Sequence, residues 1–264
     1  MKIGFIGCGN MATAMLKGIL KSGEVKNGDM IASAKSDKTR EKIEKELGIQ
    51  KADTNAQVVD FADVVFLAVK PQFLEEVLDE IKDNVKEGQI FISIAPGKTL
   101  QWLGEHLGEG TKIIRTMPNT PAMVGEGMTA LCVNEQVTEK ETLLAVTLCN
   151  TFGKTEVIPE RLMDAVVGVS GSSPAYVFMF LEAMADAAVA DGMPRAQAYK
   201  FAAQAVLGSA ELMLETGKHP GELKDMVCSP AGTTIQAVRV LEEKGLRSAV
   251  FEAQLECVKK AKGM

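Results

Sequence analysis

The sequence predicts an α/β protein: an N-terminal, mostly parallel sheet with helices on both faces, then an all-helical C-terminal domain. Three observations lead there. Short apolar, β-branched runs alternate with helical segments through the first 159 residues. A glycine-rich turn follows the first of those runs. After about residue 159 a helical pattern continues to the end. The expected division is 1–159 and 160–264.

Lys2 to Gly7 (KIGFIG) reads as a buried strand and residues 11–21 as the helix after it. MIASA (30–34) is the second strand, and the charged helix over 37–47 ends at Gly48. VVFLAV (64–69) is a strand buried on both faces, followed by a helix over 72–83. QIFISIA (89–95), KIIRTM (112–117) and MTALCV (128–133) are further strands, and TEVIP (155–159) is the last.

Composition excludes several classes of function. The chain has 264 residues, 46% hydrophobic and 24% charged, the profile of a soluble globular protein of one large or two modest domains. A formal net charge of -6 disfavours nucleic acid and acidic membranes. No 18 consecutive residues are apolar, so no membrane span is expected, and MKIGFIGCGN breaks its apolar run before a signal-peptide core forms. Five cysteines without CxxC spacing predict free thiols in a reducing cytoplasm, not a disulfide frame or zinc site.

The turn after the first strand is Gly7-Cys8-Gly9-Asn10-Met11-Ala12, a GxGxxA pattern between strand and helix. The first glycine permits a tight turn, the second lets the backbone approach a pyrophosphate, and the small third residue lets helix pack on strand. The free N–H groups of the helix start then face the phosphates. This predicts a Rossmann-like dinucleotide-binding sheet. NAD-binding folds usually place a carboxylate near the end of the second strand. Here Ser33-Ala34-Lys35-Ser36 stands there, with Lys38 and Arg40 beyond, and no carboxylate precedes Asp37. Hydroxyls and cations suit a ribose 2′-phosphate, so the expected cofactor is NADPH, with NADH as the alternative. The other strand ends on the same edge are Ala68-Val69-Lys70-Pro71, Ala95-Pro96-Gly97 and Met117-Pro118-Asn119-Thr120-Pro121. They read either as rigid turns or as the walls of a nicotinamide crevice. Asn55 precedes a short helix, as its N-cap or as an adenosine contact.

In the second half, AYVFMFLEAMADAAVA (175–190) carries only Glu182 and Asp186, four residues apart on one narrow face. A helix this apolar needs burial nearly all round. Residues 195–215, opened by Pro194 and closed by Gly217, are similar. About 100 residues cannot easily cover two such helices, so a second copy of the chain is the expected cover. One polar turn interrupts the region: VCSPAGTTIQAV (227–238). Gly232, Thr233 and Thr234 open a helix over 233–243, with unpaired N–H groups. By geometry that is an anion site fit for a small carboxylate, unless Ser229 or a threonine merely caps the helix.

The chain resembles the pyrroline-5-carboxylate reductases. GFIGCGNMA, FLAVKPQ, RTMPNTPA, SGSSPAY and HPGELKDMVCSPAGTTIQAV lie in that family's order, and the stretch from Leu223 through Glu242 is the most specific. The resemblance implies NAD(P)H-dependent reduction of the cyclic imine L-Δ1-pyrroline-5-carboxylate to L-proline. It implies that Thr234 hydrogen-bonds the imine nitrogen, that Thr233 and the Gly232 turn hold the carboxylate, and that Glu160 lies on the substrate side. It assigns the cofactor to Ile6, Gly7, Cys8, Gly9, Asn10, Met11, Ser33, Asn55, Ala68, Val69, Lys70 and Pro71, to which the crevice and charge readings add Ala95 and Lys35. It also implies a tight homodimer of C-terminal helices, assembled further, with no nucleic-acid or membrane partner. Ser173 and Met226 depart from residues frequent in the family, glycine and a polar residue respectively.

The chemistry fits the residue types. A protonated imine is already electrophilic, so hydride addition requires no metal or nucleophile, and neither His106 nor His219 falls in a crevice loop. A reductase acting on another imine stays open, because pocket size is not legible in sequence, while three further rivals are weaker. A β-hydroxyacid dehydrogenase needs a base, usually a lysine on the first long helix of the second domain, yet 161–190 contains no lysine. A deazaflavin-linked reductase has less use for Ser33 and Lys35. A cofactor-binding sensor has no use for a second anion site.

Overall fold

The computed structural model describes residues 1–263, and the chain divides into two compact units. The first comprises Met1–Ser172 and the residues from Cys257 onward; the second is Ser173–Glu256.

The first unit is built on a sheet of eight described strands, ordered β3-β2-β1-β4-β5-β6-β7-β8. They are β1 (Ile3–Ile6), β2 (Met30–Ser33), β3 (Gln50–Ala52), β4 (Val64–Leu67), β5 (Ile90–Ser93), β6 (Lys112–Met117), β7 (Gly127–Val133) and β8 (Gly153–Val157). Only the β6–β7 pairing among them is antiparallel. The helices are α1 (Asn10–Ser22), α2 (Asp37–Lys45), α3 (Asn55–Phe61), α4 (Leu74–Ile81), α5 (Leu100–Leu107), α6 (Glu139–Asn150) and the short α7 (Met163–Val166). The mostly parallel, helix-covered sheet is the one expected.

At the centre of the sheet both faces are buried because β1 (IGFI) and β4 (VVFL) carry no polar side chain. One face packs Phe5, Phe66, Met15, Leu16 and Phe152; the other packs Ile6, Val65, Leu67, Leu78 and Phe91. Phe5 and Phe66 stack at 4.4 Å between ring centroids. The cysteines are all free. Burial pushes the Cys132 and Cys149 thiols up to about 12, so both behave as small apolar side chains.

Four elements go beyond the sequence expectation. β3 is three residues, QKA, of which two are exposed, so no apolar alternation marks it. α5 and α6 start at threonine N-caps, Thr99 and Thr138, the latter in a full capping box with Glu141. The last strand lies earlier than TEVIP, over Gly153–Val157, because it pairs in parallel with β7 from Gly127 onward.

The second unit contains α8 (Ser173–Ala190), α9 (Arg195–Thr216), α10 (Pro220–Val227), α11 (Thr233–Glu243) and most of α12 (Leu246–Lys262). Pro194 and Gly217 bound α9, the glycine in the left-handed region at φ +62. Within one chain α8 buries only Ala185, and α9 only Ala198 and Ala202. Phe178, Phe201 and Leu214 are 64%, 68% and 84% exposed. The burial these apolar helices need is therefore not supplied inside the chain. The helical run Glu160–Ala190 is also long and apolar enough to cross a membrane by length and composition, a possibility the count of consecutive apolar residues passes over. It carries Glu182 and Asp186, and Asp186 is ion-paired with Arg195.

Candidate cofactor cleft and substrate turn

β1 leads into the glycine turn at a point of close backbone approach. Gly7 has φ +95, and a Cβ there would sit 2.6 Å from the Ala68 carbonyl oxygen, so only glycine fits. At Gly9 a Cβ would meet nothing within 4 Å, which leaves open space in front of α1. Gly9 is the N-cap of α1, makes no side-chain cap bond, and no acidic residue occupies the first turn. The first N–H groups of α1 and its positive end are thus free for an anion. Cys8 lines the same turn, but burial pushes its thiol up and its sulfur rests 3.9 Å from Thr13 Oγ1.

This turn forms one end of a cleft of about 800 Å³ beyond the carboxyl ends of β1, β2 and β4. β1 lies between β2 and β4, so the cleft sits where the strand order reverses. Gly7, Cys8 and Gly9, then Ser33 and Lys35, then Asn55, then Ala68, Val69 and Lys70 line it. Ile6 is the buried last residue of β1, and Asn10 and Met11 form the first turn of α1, all three beside the lining. Pro71 starts the helical turn after Lys70 and also lies outside the lining. Ala95 is buried beyond β5, outside the lining, in the core cluster that includes Val77 of the lining. In the loop from Met117 to Pro121, buried Asn119 accepts from the Met128 N–H at 2.8 Å and donates to the Ser170 carbonyl at 3.0 Å, which fixes the turn.

The end of the cleft at Ser33 and Asn55 is more organised than the sequence indicates. Thr54, not Asn55, caps α3, its side chain accepting from the Gln57 N–H. Asn55 Oδ1 accepts from the Ser33 hydroxyl at 2.6 Å, and Asn55 Nδ2 donates to Glu80 Oε2 at 2.6 Å. The Lys35 ammonium lies 5.1 Å from the Phe73 ring centroid, and Arg40 Nε donates to the Ala34 carbonyl at 2.7 Å. Phe73, Glu76 and Glu80 of the lining were missed by sequence reasoning. Their spacing of three and four residues, just after Lys70-Pro71, was the available signal.

The second candidate site is the turn into α11. Among the described residues Ala231 is the only non-glycine with positive φ, at +57, a conformation that costs on the order of 1 kcal/mol. A Cβ on Gly232 would lie 2.4 Å from Ser229 Oγ, so the hydroxyl lies over the glycine. Gly232 is the N-cap, and among the described residues no side chain caps it. The capping alternative therefore fails: neither Ser229 nor a threonine satisfies the first N–H groups of α11. Thr233 is exposed and Thr234 half-buried.

Glu160 has a structural partner that sequence reasoning did not see. Its Oε1 accepts from Arg115 Nη1 at 2.9 Å and from the Leu100 N–H at the start of α5 at 2.8 Å. The Arg115 side chain is only 7% exposed. Glu160→Ala would leave that guanidinium buried and unpaired, a loss of about 3 kcal/mol. A thermal melt should show the midpoint falling by roughly 6–12 °C. A residue that only touched substrate would raise KM and leave the melt unchanged. The two histidines serve structure: His106 Nδ1 meets the Trp102 carbonyl at 2.8 Å, and His219 Nδ1 accepts from the Gly221 N–H at 3.1 Å.

A family model described as pyrroline-5-carboxylate reductase dimerisation matches residues 160–264, and one described as NADP oxidoreductase, coenzyme F420-dependent, matches residues 2–97. The chain is 55% identical over 260 residues to the pyrroline-5-carboxylate reductase of Escherichia coli, covering 98% of this chain and 97% of that one. The chain belongs to the pyrroline-5-carboxylate reductase family. The solved reductase from Coxiella burnetii superposes with a TM-score of 0.92 at 35% identity, covering 99% of this chain and 97% of that one. The Plasmodium falciparum pyrroline carboxylate reductase with NADP bound gives 0.89 at 30% identity, covering 100% and 97%. Reductases of this family therefore share the whole chain, and the F420-named model covers only its cofactor-binding part. The dimerisation match accounts for the bare apolar helices: homo-oligomerisation, which a lone chain cannot display, supplies their cover.

Proposed function

We infer that the chain reduces L-Δ1-pyrroline-5-carboxylate to L-proline with NADPH, NADH being the alternative donor. The observation that carries the substrate side is the uncapped, strained turn into α11, a second anion site separate from the glycine turn. The residues of the cleft fit a dinucleotide: the open space at Gly9 admits a pyrophosphate, and Lys35 and Arg40 lie at the end suited to a 2′-phosphate. When bound, the cofactor supplies the hydride.

The chain's own groups do the rest. The N–H groups at Gly232 and Thr233 hold the substrate carboxylate. Thr234 Oγ hydrogen-bonds the imine nitrogen and fixes the ring so that the imine carbon faces the hydride donor. Each turnover consumes one hydride at that carbon and one proton at nitrogen. A hydroxyl is a weak acid, so Thr234 orients the nitrogen and the proton arrives through water. Glu160 is the remaining proposed substrate-side residue, beside its role with Arg115. Free cysteines and a net charge of -6 support a cytoplasmic enzyme, and the bare helices support a homodimer that assembles further.

Steady-state NADPH oxidation by the purified protein, with and without pyrroline-5-carboxylate, tests this reading. Substrate-dependent oxidation with proline as product is expected. Tight NADPH binding without oxidation would overturn it.

A further inference from the structure

Asn55 is gripped from two sides, and the grip has a direction. Its backbone N–H donates to Glu80 Oε1 at 3.2 Å and its Nδ2 to Glu80 Oε2 at 2.6 Å. A carboxylate can only accept, so the amide nitrogen of Asn55 must face Glu80 and the amide oxygen must face Ser33. That oxygen takes the Ser33 hydroxyl hydrogen at 2.6 Å. Ser33 has one such hydrogen and spends it on Asn55. What it offers the cleft is lone pairs alone.

Ser33 is the last residue of β2, where a dinucleotide fold meets the adenosine ribose. A ribose 2′-hydroxyl can donate to an accepting Ser33. A fully ionised 2′-phosphate has only acceptors and cannot. The relay thus opposes Lys35 and Arg40, whose charges favour the phosphate.

We propose that Glu80 is a positioning residue for cofactor choice: by fixing the Asn55 amide it holds Ser33 as an acceptor and restrains the preference for NADPH over NADH. The inference rests on the cofactor-cleft reading above. Glu80→Gln keeps the shape but removes the direction. A glutamine can accept from or donate to Asn55, so the Asn55 amide can flip, donate to Ser33 and release the hydroxyl hydrogen to a phosphate. Removing a negative charge also favours a phosphate, so Glu76→Gln is the control. Glu76 lines the same cleft and carries the same charge without a bond to Asn55.

Calorimetric Kd values for NADPH and NADH are measured on the full-length parent, on Glu80→Gln, Glu76→Gln, Ser33→Ala and Lys35→Ala, and on the Ser33→Ala/Glu80→Gln double variant. Expected is a shift of the affinity ratio toward NADPH in Glu80→Gln roughly tenfold beyond that in Glu76→Gln. Ser33→Ala in the parent should weaken NADH more than NADPH, and in the Glu80→Gln background should weaken NADPH instead. Equal shifts for the two glutamines, or a Ser33→Ala loss in the parent that falls mainly on NADPH, would overturn the relay while leaving the cleft reading intact. If Lys35→Ala and every other variant leave both affinities unchanged, the cofactor does not bind in this cleft, and both readings fall.

Discussion

Thr234→Ala is expected to lower kcat roughly 100-fold while the affinity for NADPH stays that of the parent chain. The reason lies in the turn that positions Thr234. The chain accepts a left-handed Ala231 and packs Ser229 over Gly232, and yet leaves the first N–H groups of α11 without a side-chain cap. Strain held at a turn that gains nothing for its helix points to a ligand. On the proposed reading, a small carboxylate bound at Gly232 and Thr233 would bring the imine nitrogen to the Thr234 hydroxyl. The loss should therefore fall on turnover, since the hydrogen bond matters most as charge on nitrogen changes during hydride addition. Thr234→Ser, which keeps the hydroxyl, should recover most of the rate; Thr233→Ala should raise KM for the imine more than it lowers kcat. Single-turnover absorbance of NADPH, paired with equilibrium binding, separates these effects. Parent-like kcat in Thr234→Ala would return the turn to a plain helix start.

What the sequence made legible was whatever has local period or local chemistry. KIIRTM coincides with β6 residue for residue, because the β-branched pair Ile113-Ile114 is a local mark of a buried strand. GxGxxA announced the cleft because a tight turn, an open approach and a helix start are all local demands of the backbone. β3 and the shift of β8 were not legible, since their pairing partners set them and not their own residues. The cofactor site was read as a set of separate contacts: Ser33 as a phosphate partner, Asn55 as a cap or an adenosine contact. That Glu80, far along the chain, decides which way Asn55 points is a tertiary fact, as is the pairing of Glu160 with buried Arg115. The need for a second copy was legible for a simpler reason. Too few polar residues in α8 and α9 is a shortage visible in composition, and the exposure of Phe178, Phe201 and Leu214 is the same shortage seen in three dimensions.

Phe201→Glu is expected to convert the protein to monomers at micromolar concentration and to abolish turnover while leaving NADPH binding in place. Phe201 is 68% exposed on α9, so the substitution removes little from the packing of its own chain. In a closed homodimer every contact occurs twice. Each buried phenylalanine contributes about 2–3 kcal/mol, so its removal costs the pair about 5 kcal/mol. Each glutamate that replaces it adds the cost of an unpaired charge taken out of water. The sum exceeds about 5.5 kcal/mol, which weakens association by roughly 10⁴-fold or more. On the proposed reading the hydride donor binds the glycine turn and the imine binds the α11 turn, and α11 lies within the dimerisation match. A monomer would therefore keep its affinity for NADPH and lose catalysis. Leu143→Glu is the matched control: Leu143 is equally bare but lies on α6 of the first unit, outside the dimerisation match. Size-exclusion chromatography with light scattering, read beside turnover and NADPH affinity, distinguishes the outcomes. A monomeric Phe201→Glu protein with parent-like turnover would show that one chain completes the active site. A dimeric and fully active one would place the interface on another face of the second unit.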